Sequence, residues 1–432
     1  MVNVQRTVTP AVKLTGDIRV PGELEEATRT LVLASLSEGE SQVDNAPPGI
    51  ATLVETLGRL GVELRVSDST VRVRGRGLRS LTAPPAEVGL GGIGDAALLL
   101  LTALACQPLA VRVRVPADRR DLCRKLLTLL EQAGVGRAAE EEEGAFRLTG
   151  GGEVRGVDYA DRDLEPPLRQ ALLLAGLYAD GETAVREPSR SRDRVEFELK
   201  RRGVEVTGSR PDPAERVMRV TGGQAMAPLS LAVTGQMELA LPLMVAALTV
   251  KRSAIRICKV AVRADNRAFF DLLRQLGGRV EVEEEELGSA DIVARFTQLR
   301  STRVAESRAE RLIAQVPLLA VLATQTEGEF IIRDIDALRR SEEGYDLVAH
   351  LLALLRLIGA KVGEYPEGLV IDGGHPLQGA SIDSKGDPGT VQAFAVAGLL
   401  ASGEMEIGGV ECLDGVFPGF FDSLATLKER KR

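Results

Sequence analysis

The sequence predicts an α/β protein built from six copies of one unit, three copies to each of two domains. Three observations carry that expectation. Runs of small and apolar residues recur six times, each followed by a Gly or polar stop and a strand-like segment. Gly61, Gly134, Gly203, Gly277 and Gly359 each close a second, amphipathic helix, at intervals of roughly 70–80 residues, longer than the period of most solenoid repeats. The chain has 432 residues, and three copies of about 70 residues make one domain of ordinary size.

The first copy sets the pattern. Val20-Pro21-Gly22 reads as a turn, with Pro fixing φ and Gly accepting a positive φ. Thr28 to Leu36 reads as a helix, and Gly39 as its C′ residue, before a strand that starts at Ser41. A second helix from Leu53 ends at Gly61, ahead of the strand VELRV. The later copies begin at Leu98, Ala171, Leu243, Leu318 and Phe394. Their first helices are apolar nearly all round and so are expected in the core. Their second helices are amphipathic and are expected to cover a sheet on one side and face water on the other. A break near Ala225 to Gly235, rich in Pro and Gly, separates the third copy from the fourth. The acidic runs Glu140–Glu143 and Glu283–Glu286 precede a Gly between strand-like segments and read as solvated hairpin tips.

Composition narrows the function classes. Net charge is -8, which argues against general binding to nucleic acid or an anionic membrane. Local basic clusters, at Arg190, Arg192 and Arg194 and at Lys200, Arg201 and Arg202, leave a small anion site open. Cys106, Cys123, Cys258 and Cys412 form no CxxC pair, and His350 and His375 stand apart, so no metal site is expected. No apolar signal core opens the sequence, and the longest apolar run, Ala96 to Cys106, is too short to span a bilayer. The expectation is a cytoplasmic protein without cofactor, a monomer or small homo-oligomer, with a protein partner left open. With 3% aromatic residues and no Trp, the core must be aliphatic.

Several segments together resemble the enolpyruvylshikimate-phosphate synthase family, the 3-phosphoshikimate 1-carboxyvinyltransferases. They are LTGDIRVPG at Leu14, LVLASLSEGES at Leu31, SRDRVE at Ser191, PLLAVLATQTEGEFIIRD at Pro317, AVAGLLASGEMEI at Ala395 and FPGFF at Phe417. The similarity runs nearly the length of the chain. It implies a two-domain inside-out α/β barrel of six βαβαββ units, with residues 21–230 in one domain and residues 1–20 plus 231–432 in the other. It also implies that shikimate 3-phosphate and phosphoenolpyruvate, both polyanions, meet in an interdomain cleft that binds small anionic ligands.

The family's polar motifs fit much less well than its framework. Its PGDKSxSxR motif falls on Pro21 to Arg29, where the Lys has become Leu24, the first Ser has become Glu25, and Arg29 remains. GNAGTxxR falls on Gly91 to Leu98, with Asp95 in place of Thr and Leu98 in place of Arg. The next phosphoenolpyruvate Arg aligns near Asp121, with Arg119 and Arg120 just upstream. The SSQ motif falls on Glu165-Pro166-Pro167, where the prolines have no N–H to offer a phosphate. Ser191 and Arg192 do match, as does Asp193. In the second half the family's catalytic Asp aligns with Ala314. Its catalytic Lys aligns with Ser341, beside a retained Glu342, and Arg339 and Arg340 stand close enough to replace part of the lost charge. The DHR motif reads Asp387-Pro388-Gly389.

By resemblance, then, the candidate substrate ligands are Arg29, Arg119, Arg120, Ser191, Arg192, Arg339 and Arg340, with Glu342 catalytic if the chain is active. Three readings follow from these residues. One is a pseudoenzyme that keeps the scaffold and binds another ligand or a partner. The second is an active enzyme, either a divergent enolpyruvyl transferase or one that uses the cleft for another substrate, which a convergent set of Glu23, Glu25, Asp95 and Asp121 with Arg339 and Arg340 across the cleft would mark. The third is a structural or assembly protein.

Overall fold

A computed structural model describes residues 4–136, 138–189, 194–263, 267–284, 288–340, 344–365 and 367–428. The chain divides into two units, Gly22–Val233 and Met1–Pro21 with Thr234–Arg432.

In the Gly22–Val233 unit six helices are set among three sheets. They are α1 (Leu24–Ser35), α2 (Ala51–Arg59), α3 (Ala96–Ala105), α4 (Arg120–Gln132), α5 (Pro166–Gly176) and α6 (Arg194–Arg201). In the second and third copies the chain runs strand, helix, strand, helix, hairpin. Strand Val88–Gly89 leads through α3 to Ala110–Arg114, and then through α4 to the hairpin Ala138–Glu142 and Ala145–Thr149. The strands joined through α3 pair in parallel, and the rest of the sheet is antiparallel. The first copy lacks its own leading strand. Ser230–Ala232 takes that place, parallel to Glu38–Asp44 with Leu231 opposite Val43.

The other unit repeats the plan with α7 (Met237–Thr249), α8 (Ala268–Gln275), α9 (Ser307–Arg311), α10 (Val316–Ala323), α11 (Leu347–Leu357), α12 (Pro388–Leu400) and α13 (Phe420–Leu427). Thr15–Ile18, from the start of the chain, forms the parallel edge of the sheet that follows α7. Gln5–Val8 pairs antiparallel with Met405–Gly408 and completes the last copy.

The helices divide as their sequences predict. Every residue of α3, α10 and nearly all of α7 is buried, whereas α2, α4, α8 and α11 bury one face. Each unit holds one aliphatic core around its apolar helices. The closing glycines all take the left-handed conformation, with φ of 84° at Gly61, 78° at Gly134 and 80° at Gly203, which L-residues other than Gly adopt at a cost.

Four expectations need correction. The inside-out barrel is absent among the described residues. The strands form open sheets of at most four strands, and none closes on itself. Helix α1 starts at Leu24 rather than Thr28, because Glu25 and Glu26 in the first turn favour the positive end of the helix dipole. Gly39 is not a C′ residue; it lies inside the strand Glu38–Asp44. Gly22 does not owe its place to a positive φ. A Cβ there would lie 2.2 Å from the Asn45 carbonyl oxygen and 2.7 Å from Val233, so close packing excludes any side chain.

Candidate functional site

In the Gly22–Val233 unit the fold does gather several motif positions. The first turn of α1 abuts the Gly91–Gly94 loop. A Cβ on Gly94 would lie 3.8 Å from Glu25 Cγ. Asp95 follows that loop and pairs with Arg119, the two groups 3.1 Å apart. Glu25, Gly94, Asp95 and Arg119 are therefore contiguous. What the loop presents is carboxylate, and the nearby guanidinium is already engaged.

The other arginines are engaged too. Arg120, at the start of α4, pairs with Glu143. Asp121 is 96% exposed at its side chain and pairs with Arg124 at 3.1 Å, so it does not join Glu25 and Asp95 in a common carboxylate pocket. Glu140 to Glu143 are exposed in the hairpin Ala138–Glu142 and Ala145–Thr149, as expected, and their charges are paired. Arg124 and the Gly144 N–H hold the Glu140 carboxyl down to about 2, and Arg112, Arg114, Arg120 and Arg147 take the rest of the run. At the head of α5, Glu165 accepts from Lys125 at 2.9 Å, which lowers its pKa. Pro166 and Pro167 occupy the first helical positions, so the N-terminus that would otherwise receive an anion lacks two of its donors.

Arg29 has a different fate. It is 8% exposed, and its Nε donates to Glu198 Oε1 on α6 at 2.6 Å. Thr30 Oγ1 donates to Glu198 Oε2 at 3.1 Å. Arg202, read from sequence as part of a basic cluster that leaves an anion site open, is wholly buried. It donates to Ser37 Oγ at 3.0 Å and to the Thr30 carbonyl at 3.3 Å. Glu198 escaped the sequence reading, and the burial of Arg202 with it, because their partners Arg29, Thr30 and Ser37 lie more than 160 positions away in the chain. The one available signal was the alternation of charge with Val195, Phe197 and Leu199.

In the other unit Ala314 and Gly389 also meet. A Cβ on Gly389 would lie 3.9 Å from the Ala314 carbonyl oxygen, so two motif positions converge without a charge on either. Asp387 caps α12, accepting from Thr390 N at 2.7 Å and Thr390 Oγ1 at 2.5 Å. Arg339 is held by Glu364 at 2.9 Å and Asp346 at 3.3 Å. Ser191, Arg192 and Glu342 lie outside the described residues, as does the side chain of Arg340. Among the described residues, no group of three or more His, Cys, Asp or Glu residues is placed to hold a metal ion, and no helix is long and apolar enough to cross a membrane.

The fold is that of the enolpyruvyl transferases. The chain matches an EPSP synthase from Acinetobacter baumannii with a TM-score of 0.77 at 22% identity, covering 99% of this chain and 100% of that one. It matches the enolpyruvyl transferase NikO from Streptomyces tendae with a TM-score of 0.63 at 19% identity, covering 98% and 97%. Sequence makes the assignment narrower. The profile of EPSP synthase (3-phosphoshikimate 1-carboxyvinyltransferase) matches residues 8–424. The chain is 30% identical to the 3-phosphoshikimate 1-carboxyvinyltransferase of Brevibacillus brevis over 98% of this chain and 99% of that protein. It is 35% identical to that of Desulforudis audaxviator, again over 98% and 99%. The chain belongs to the EPSP synthase family.

Proposed function

We propose that this chain keeps the framework of its family but has given up enolpyruvyl transfer, and serves as a binding protein whose ligand is not the family's pair of polyanions. The observation that carries this reading is the state of the cations. Arg29, Arg119, Arg120 and Arg339 each pair with a carboxylate of their own unit. Two polyanionic substrates need unpaired Lys and Arg forks. Losing one partner of a charged contact typically costs about 2–5 kcal/mol of binding. Leu24, Leu98, Ala314, Ser341 and Gly389 stand where the resemblance puts the cations and catalytic groups. Several such losses together leave no route to proton transfer or to binding of phosphoenolpyruvate.

Full-length similarity to relatives named 3-phosphoshikimate 1-carboxyvinyltransferase supports a second reading. In that reading the chain is an active transferase of the shikimate pathway, with Glu342 as a catalytic group and Ser191, Arg192 and Arg340 among its substrate ligands. A phosphate-release assay with shikimate 3-phosphate and phosphoenolpyruvate separates the two. The first reading expects no release above the protein-free rate; the second expects turnover that depends on both substrates.

A further inference from the structure

The Gly22–Val233 unit carries a hollow far from its motif positions. It measures about 1080 Å³, ample for a small-molecule ligand. Glu38 and Leu177–Gly181, which follow the C-terminal ends of α1 and α5, form part of its wall. The turns Arg76–Arg79, Gly152–Arg155 and Thr221–Ala225 form the rest. Leu24, Glu25 and Glu165–Pro167 stand at the opposite, N-terminal ends of the same helices, which are 12 and 11 residues long. That length separates the two places by roughly 16–18 Å.

One guanidinium of this wall is held in place without being neutralised. The Tyr178 side chain is buried, and its hydroxyl donates to the Leu78 carbonyl at 2.9 Å. Arg79, the next residue, donates from Nη2 back to the Tyr178 carbonyl at 3.2 Å. Its guanidinium also lies over the Tyr178 ring, 5.8 Å from the centroid, within reach of a cation–π contact. Neither contact supplies a countercharge. Two carboxylates share the wall with it. Glu38 leans over Gly77, where a Cβ would lie 3.3 Å from Oε1, and Asp180 follows Tyr178 by two positions. Arg79, Glu38 and Asp180 have no salt bridge among the described residues, whereas Arg76 pairs with Glu63 and Arg155 with Glu153. The C-terminal ends of α1 and α5 add negative partial charge beside Glu38 and Asp180. A simple anion in the hollow meets repulsion from these carboxylates, and a simple cation meets repulsion from Arg79. A molecule that carries both charges answers all three groups.

We propose that this hollow binds a small zwitterion with the chemistry of a free amino acid, its carboxylate on Arg79 and its ammonium on Glu38 and Asp180. Gly181 and Gly223 leave room for it, since a Cβ on either would meet nothing within 4 Å. The inference does not depend on the loss of enolpyruvyl transfer. Phosphate release by the natural chain would overturn that loss and leave this site standing.

The test titrates the full-length chain with glycine, β-alanine, γ-aminobutyrate, ε-aminocaproate and L-leucine, by calorimetry and saturation-transfer NMR. The ω-amino acids vary the distance between the two charges, and L-leucine adds an apolar side chain for Leu78. Each is compared, at equal ionic strength, with the acid and the amine of the same carbon skeleton. At least one member should bind about tenfold or more tighter than either of its halves, the scale of one hydrogen bond to a charged group. Arg79→Gln and Glu38→Gln/Asp180→Asn should each weaken that binding by about tenfold or more. All three positions are exposed, so both variants should keep the circular dichroism of the natural chain. No saturable binding by any member would overturn the proposal, as would binding matched by the acid or the amine alone. Undiminished affinity in either variant would overturn it too, by placing the ligand elsewhere.

Discussion

Replacing Arg29 with Gln should destabilise the Gly22–Val233 unit far more than replacing Arg119 with Gln, although sequence marks both as anion ligands. The Arg29–Glu198 pair is 2.6 Å long, with side chains 9% and 8% exposed. Removing one partner of such a buried pair costs about 3–5 kcal/mol, because the other charge is stranded. The Arg119–Asp95 pair is 3.1 Å long, with side chains 29% and 33% exposed. Pairs that keep this much contact with solvent contribute about 0–1 kcal/mol. With a urea slope of about 3 kcal/mol/M for a unit of this size, Arg29→Gln should lower the midpoint by about 1–1.7 M and Arg119→Gln by about 0.3 M or less. The chain has no Trp, so far-ultraviolet circular dichroism is the suitable probe. The two units can unfold separately, and the shift should appear in one transition. Small, equal shifts for the two variants would refute the assignment of Arg29 to the interior.

Two further outcomes can be checked on the same samples. Burial pushes the Cys106 and Cys123 thiols from 9.0 up to about 12. The unfolded chain therefore releases these protons first, and stability is fully present below about pH 9 and falls as pH rises toward 12. Each thiol should remove about 1.4 kcal/mol by pH 10. Arg202, with its pKa lowered to about 10, acts in the opposite sense, but only above that pH. Urea midpoints at pH 8, 9 and 10 should therefore fall in the natural chain and fall clearly less in Cys106→Ala/Cys123→Ala, where the raised Cys258, Cys412, Tyr159 and Tyr178 still act in the same direction. Asp387→Ala removes the cap from α12 and should cost about 1 kcal/mol in thermal or urea unfolding. A cost near zero would mean that Asp387 is not the cap and is free for other work.

Much of the fold could be read from sequence because it is written in local terms. Apolar runs such as Ala96 to Cys106 have one outcome in a chain with short loops, and Gly61, Gly134 and Gly203 stop their helices by a local rule. The start of α1 was misread for a local reason too: Glu25 and Glu26 look like loop residues until the helix dipole is counted. The barrel came from resemblance alone, and the open sheets correct it. Gly22 was assigned to a turn conformation, whereas its constraint is the approach of Asn45 and Val233, which lie far along the chain. By resemblance the sequence reads the site as losses, at Leu24, Leu98, Ala314 and Gly389. The site was not legible as pairings. That Arg29 meets Glu198 depends on packing between the first and third copies, and that Arg119 meets Asp95 depends on how the second copy folds back on itself; no spacing rule reports either.

The most direct measurement is phosphate release by the purified chain given shikimate 3-phosphate and phosphoenolpyruvate together. A chain that has given up transfer releases none above the protein-free rate, even at high protein concentration. Release that requires both substrates would contradict the proposed loss of function and return the chain to the working members of its family.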